Sequence, residues 1–297
     1  MTLAAVFPGQ GSQYPGMCLE LLDRYPEIVD IFAAAEDITD QPLSDLVSNG
    51  PKELLDDTLN AQPAIFTVNY VYWRILRQKG LRADYVAGHS LGELSACLAA
   101  GVFSFEDGLR IVKRRAELMS RAGVENGGGM MAVLGLDDAK VAEISAAVGL
   151  QPANYNCPGQ VVVAGPNMSL EQGGDAFRSA GARKVVRLAV SGAFHSPAMA
   201  APARLFDDWL QSIDFEEPLI PIISNVTAEP LLTAADVKKA LARQLVSPVR
   251  WRRCIERLAQ RGVDTFIEVG PGRVLSGLIK RIAPDATIEH AADRLNE

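Results

Sequence analysis

Residues 86–93 read VAGHSLGE. A short apolar run, Asp84 to Gly88, ends at a glycine, and a second apolar segment, LGELSACLAAGV, follows with helical spacing. A strand that passes into a helix through G-x-S-x-G has few ways to fold. The serine sits on a strained turn, and side chains at Gly88 or Gly92 would collide with the neighbouring strand and helix. Such a turn belongs at the carboxyl end of a strand in an α/β sheet. It leaves the Ser90 hydroxyl exposed at a helix N-terminus, where backbone N–H groups face a developing oxyanion. A glycine-rich bend with Ser90 as a plain helix cap is the structural alternative.

The rest of the chain supports the α/β frame. Leu3 to Phe7 is an apolar strand that runs into PGQGSQ. Gln62 to Lys79 is helical, with Ile65, Val68, Tyr72, Ile75 and Leu76 on one face and Pro63 near its first turn. Ser104 opens another helix, with Asp107 completing an approximate capping box, and ENGGG closes it. The pattern then changes to βαββαβ: MMAVLGL, DDAKVAEISAAVG, QPANYN, QVVVAG, SLEQGGDAFRSAG and ARKVVRLAV. That order is the ferredoxin-like signature. Afterwards PLIPIISNV reads as a strand, Ala234 to Leu245 as a helix and DTFIEVG as a last strand. The expected fold is a hydrolase-like α/β core with a mostly parallel sheet, formed by residues 1–126 and 190–297. Residues 127–189 form an inserted ferredoxin-like subdomain.

Composition removes several function classes. The chain has 297 residues, 48% of them hydrophobic and 22% charged, enough to bury a large core. A net charge of −7 gives no basic field for nucleic acid. The start, MTLAAVFPGQG, lacks the basic and long apolar regions of a signal peptide, and the longest apolar run, Leu98 to Phe103, is too short for a bilayer. Cys18, Cys97, Cys157 and Cys254 show no metal-binding spacing, so no metal is expected; buried free thiols in the cytoplasm are.

An elbow serine needs a base, and there are three histidines. His89 adjoins Ser90 and points away from it on a tight turn; it reads as a packed or hydrogen-bonded residue. His290 sits in a charged tail and reads as a solvated surface residue. His195, in the loop VSGAFHSPAM, remains as the base. No acid stands out as its orienting partner; Asp264 and Glu268 are among several candidates. PGQGSQ fails the dinucleotide pattern, with Tyr14 where a third glycine belongs. The loop after the first strand is the usual source of the second oxyanion donor, so the N–H groups of Gln10 and Leu91 form the candidate pair.

Arg115 faces inward. Its neighbours three and four residues away are Ile111, Val112, Leu118 and Met119, all apolar, whereas Lys113 and Arg114 have charged neighbours. A buried guanidinium must find an anion, either within the protein or on a substrate.

FPGQGSQ, GHSLGE, the Arg115 helix, NYNCPGQVVVAG, GAFHS, RQLVSPVRW and EVGPGRVLSGLIKR together resemble the malonyl-CoA:acyl-carrier-protein transacylases. The resemblance covers essentially the whole chain. It implies that Ser90 is the acylated nucleophile, His195 the base and Arg115 the ligand of the malonyl carboxylate. It also implies that the Gln244 backbone carbonyl orients the histidine, which would explain the missing acid, and that Asn156 lies near the site. The implied substrates are malonyl-CoA and the phosphopantetheine thiol of an acyl carrier protein, handled by a monomer with no bound cofactor, no nucleic acid and no membrane. Phe194, beside the base, is similar to the residue of polyketide-associated members; many fatty-acid members carry a smaller one. The alternatives are a hydrolase that clears carrier proteins and the transferase subunit of a malonate decarboxylase. Arg250, Arg252, Arg253, Arg257 and Arg261 form a candidate docking cluster for an acidic carrier, or an ordinary solvated helix face.

Overall fold

The computed structural model describes residues 1–296. Ten strands form two sheets: β1 (Leu3–Phe7), β2 (Tyr85–Gly88), β3 (Gly129–Leu134), β4 (Gln151–Cys157), β5 (Gln160–Gly165), β6 (Lys184–Arg187), β7 (Ile222–Ile223), β8 (Pro230–Leu231), β9 (Thr265–Glu268) and β10 (Thr287–His290). The larger sheet has the order β10-β9-β1-β2-β7-β8, parallel except for the β7–β8 pair. Its central strands bury both faces. On β1, Leu3, Ala5 and Phe7 join one apolar cluster, while Ala4 and Val6 join a second with Trp251 and Phe266.

The smaller sheet has the order β4-β5-β3-β6 and is antiparallel throughout. Two helices, Asp138–Ala147 and Asn167–Ser179, complete a strand–helix–strand–strand–helix–strand run, as the periodicity predicts. Alternation assigns its faces. Met131, Val133, Val161 and Val163 pack with Val141, Leu170 and Phe177 of those helices, while Met130, Ala132, Val162 and Ala164 join the main core. The small sheet is thus attached through one of its own faces, and that face also borders the site.

Several boundaries differ from expectation. The helix expected from Gln62 begins at Thr58, because Asp57 accepts from the N–H of Leu59 and caps it four residues earlier. Pro63 therefore lies inside the helix. The strand read from PLIPIISNV shrinks to Ile222–Ile223, since Pro218 and Pro221 cannot donate to a ladder. DTFIEVG is not the last strand; TIEH adds β10 beside it. Helices between Leu19 and Asp56 were not legible in the sequence pattern. Among the described residues, no helix is long and apolar enough to cross a membrane.

Candidate active site

The carboxyl ends of β1 and β2 place PGQG and GHSLG side by side. Ser90 has φ 53° and ψ −107°, a conformation that costs a non-glycine residue energy and persists only where its surroundings impose it. They do so here. A Cβ on Gly88 would lie 1.9 Å from the backbone of Gly92, and one on Gly92 would lie 2.0 Å from the Phe7 carbonyl oxygen. The Ser90 N–H donates to Asn225 Oδ1 at 2.8 Å, and Asn225 Nδ2 donates to the Gly88 carbonyl at 2.7 Å. Asn225 thus spans the turn, and the serine's own N–H is taken. The Leu91 N–H opens the helix Leu91–Ala99, and a Cβ added at Gly9 would lie 3.5 Å from its nitrogen. Gln10 and Leu91 line one cleft, and the side chain of Gln10 accepts from Thr58 Oγ1 at 2.7 Å.

His195 is buried, with Nε2 2.7 Å from Ser90 Oγ and Nδ1 2.9 Å from the Gln244 carbonyl oxygen. Burial, and secondly the Arg115 charge, push its pKa down to about 3. The ring is neutral near pH 7. A carbonyl can only accept, so Nδ1 carries the proton and Nε2 offers its lone pair to the serine hydroxyl. Neither acid considered from the sequence orients it. Asp264 accepts from Thr2 N and Thr265 Oγ1 at the opposite end of β9. Glu268 is spent on the helix Val274–Ile282, accepting from Leu275 N at 2.9 Å and Ser276 N at 2.7 Å. His89 bonds Asn156 Oδ1 through Nε2 at 2.8 Å and meets the Trp251 ring edge-on. His290 is not a solvated residue: it is buried, and its Nδ1 accepts from Ala292 N to cap the final helix.

Arg115 is 1% exposed and reaches the serine. Nη1 donates to Gln62 Oε1 at 2.5 Å, and Nη2 donates to Gln244 Oε1 at 2.8 Å and to Ser90 Oγ at 3.0 Å. Among the described residues it makes no salt bridge, so amides hold a buried cation beside the hydroxyl. Burial lowers its pKa to about 10, which leaves it charged near neutral pH. Phe194 and Asn156 line the same cleft of about 360 Å³, with Met130 and Val162 of the small sheet forming part of its wall. The sequence reading missed Gln62, Glu93 and Asn225. The five-arginine cluster is partly committed internally: Arg252 pairs with Asp138 and Glu256, and Arg257 pairs with Glu229. Among the described residues, no group of three or more His, Cys, Asp or Glu could hold a metal.

A hydroxyl bonded to a neutral imidazole, on an elbow at a helix N-terminus, has the chemistry of serine-based acyl transfer. The family described as the acyl transferase domain matches residues 5–291. The malonyl CoA-acyl carrier protein transacylase of Salmonella typhimurium is 42% identical over 299 residues, covering 99% of this chain and 96% of its own. The crystal structure of malonyl-CoA:acyl carrier protein transacylase from Xanthomonas oryzae matches with a TM-score of 0.95 at 39% identity, covering 100% of this chain and 98% of its own. A malonyl-transacylase solved in complex with its type II polyketide acyl-carrier protein matches at 0.94 and 39%, covering 98% and 96%. The chain belongs to the acyl transferase domain family and, within it, to the malonyl-CoA:acyl-carrier-protein transacylases.

Proposed function

We propose that this protein moves a malonyl group from malonyl-CoA, through a Ser90 ester, to the phosphopantetheine thiol of an acyl carrier protein. His195 Nε2 takes the hydroxyl proton as Ser90 Oγ attacks the thioester carbonyl. The N–H groups of Gln10 and Leu91 receive the oxyanion. As the intermediate collapses, the coenzyme A sulfur leaves with the proton returned by His195. In the second half the carrier thiol gives its proton to His195 and attacks the ester, and Ser90 leaves with that proton. The Gln244 carbonyl holds the imidazole in one tautomer throughout. Thioesters lie on both sides of an oxyester, so the transfer runs in either direction.

One observation carries the malonyl reading: the Arg115 guanidinium lies 3.0 Å from Ser90 Oγ. A malonyl carboxylate is one methylene away from the carbonyl that Ser90 attacks, which places it within reach of that fork. Hydrolysis of neutral acyl groups gives the buried cation no partner. The same reading makes the large-sheet part, residues 1–126 and 190–297, a hydrolase-like core and residues 127–189 a ferredoxin-like subdomain; the small sheet's strand order supports the latter. The four buried free thiols support a cytoplasmic setting. Coenzyme A enters as substrate and no bound cofactor takes part.

The test is transfer. Protein treated with malonyl-CoA is freed of small molecules and mixed with a phosphopantetheinylated carrier protein, and both intact masses are read. One malonyl mass should leave the enzyme and appear on the carrier. Release as free malonate without carrier labelling would make the protein a hydrolase.

A further inference from the structure

Glu93 has no part in the steps above, yet it is fully buried three residues after the elbow serine. Its Oε1 accepts from the Asn225 backbone N–H at 2.8 Å and its Oε2 from Gln244 Nε2 at 2.5 Å. Gln244 Nε2 also donates to the Ser90 carbonyl at 2.9 Å. Its other amide atom, Oε1, accepts from Arg115 Nη2 at 2.8 Å. The amide of Gln244 therefore lies between an accepting Glu93 oxygen at its N–H end and the Arg115 cation at its oxygen end. Both partners fix which way that amide points.

We propose that Glu93 is a positioning residue, setting the Gln244 amide so that its oxygen holds the Arg115 fork aimed at the carboxylate of the acyl group. The claim rests on the malonyl reading above. Burial raises the Glu93 pKa to about 7, against the donors Gln244 and Asn225 and the charge of Arg115, which favour the anion. Both oxygens of the carboxylate accept, and an amide can accept at only one of them. Glutamine at this position must give up either the Asn225 N–H or the Gln244 amide. If Gln244 turns over in response, its N–H group faces the guanidinium and Arg115 loses an acceptor.

The experiment compares kcat/KM for malonyl-CoA and acetyl-CoA in wild type, Glu93→Gln, Gln244→Met and the double variant, with thermal melts for folding. Each single variant should lower the malonyl-to-acetyl ratio by about tenfold or more, the size of a lost charge-assisted hydrogen bond. The double variant should lose no more than the larger single loss, because both changes cut one chain of contacts. A folded Glu93→Gln with the wild-type ratio, or a double variant whose loss is the product of the two, overturns the proposal. A role in packing alone lowers the melting temperature and leaves the ratio in place. Where Glu93→Gln does not fold, Gln244→Met decides, and an unchanged ratio overturns it. Failure of wild-type protein to accept malonyl-CoA contradicts the malonyl reading instead.

Discussion

Replacing Arg115 with alanine should invert what the site accepts. In the folded protein the guanidinium is buried and held by Gln62, Gln244 and Ser90; among the described residues it makes no direct salt bridge, and Glu93 reaches it only through Gln244. A malonyl carboxylate supplies the missing anion; an acetyl group does not. Without Arg115 the malonyl carboxylate becomes the buried, unpaired charge. Breaking such a pair costs about 3–5 kcal/mol. At about 1.4 kcal/mol per tenfold, malonyl acylation should fall by roughly two to three powers of ten. Acetyl acylation should hold or rise, since an acetyl group makes no ionic contact with Arg115 to lose. Lysine should rescue only part, because one ammonium cannot meet Gln62 and Gln244 as Nη1 and Nη2 do. The assay is kcat/KM for malonyl-CoA and acetyl-CoA in wild type, Arg115→Ala and Arg115→Lys, with a thermal melt for each. A folded Arg115→Ala that keeps the wild-type ratio refutes the reasoning and leaves Arg115 a structural residue.

The same contacts set a pH dependence. Burial and Arg115 hold the His195 pKa down to about 3, so the competent neutral base persists well below its ordinary titration range. The acid limb of the kcat/KM profile contributed by His195 should lie well below pH 6 and move upward in Arg115→Ala; a limb near pH 6.5 that persists in Glu93→Gln, which removes the Glu93 titration, contradicts this. Phe194 lines the cleft beside the base, so malonyl-CoA should outcompete methylmalonyl-CoA by about tenfold or more. Phe194→Ala should narrow that gap, and equal kcat/KM values in wild type would remove the steric argument. Gly92→Ala places a methyl 2.0 Å from the Phe7 carbonyl oxygen, and overpacking of this kind costs about 1–3 kcal/mol or more. Its melting temperature should fall by several degrees or more, while Gly277→Ala, in a helix with nothing within 4 Å of the added carbon, should hold or rise. A Gly92→Ala melt at the wild-type temperature would show that the elbow is not so tightly packed.

What the sequence disclosed and what it hid divide along physical lines. Ser90 was legible because the turn needs glycine on both sides, and that need is written locally. Arg115 was legible because its helical neighbours are apolar. His195 came from elimination among three histidines. Gln244 acts through a backbone carbonyl, which every residue possesses, so only the family resemblance singled it out. Gln62 and Asn225 reach the site from 53 residues before Arg115 and 135 residues after Ser90, and an amide in a helix or after a strand carries no local mark of such a contact. Glu93 sits inside the motif, yet its charge reads as an ordinary first-turn acid until its burial is known. β10 escaped because TIEH alternates weakly, and His290 was misread with it. The PLIPIISNV strand is shorter than its apolar run implies because Pro218 and Pro221 have no N–H to give a ladder.

The central claim is that Ser90 carries the malonyl group. Its most direct test is peptide mapping after brief exposure to malonyl-CoA. One malonyl mass should appear on the peptide containing GHSLGE, fragmentation should place it on Ser90, and Ser90→Ala should show none. A malonyl group mapped to Cys97 or to any other residue, or a labelled Ser90→Ala protein, would contradict the account.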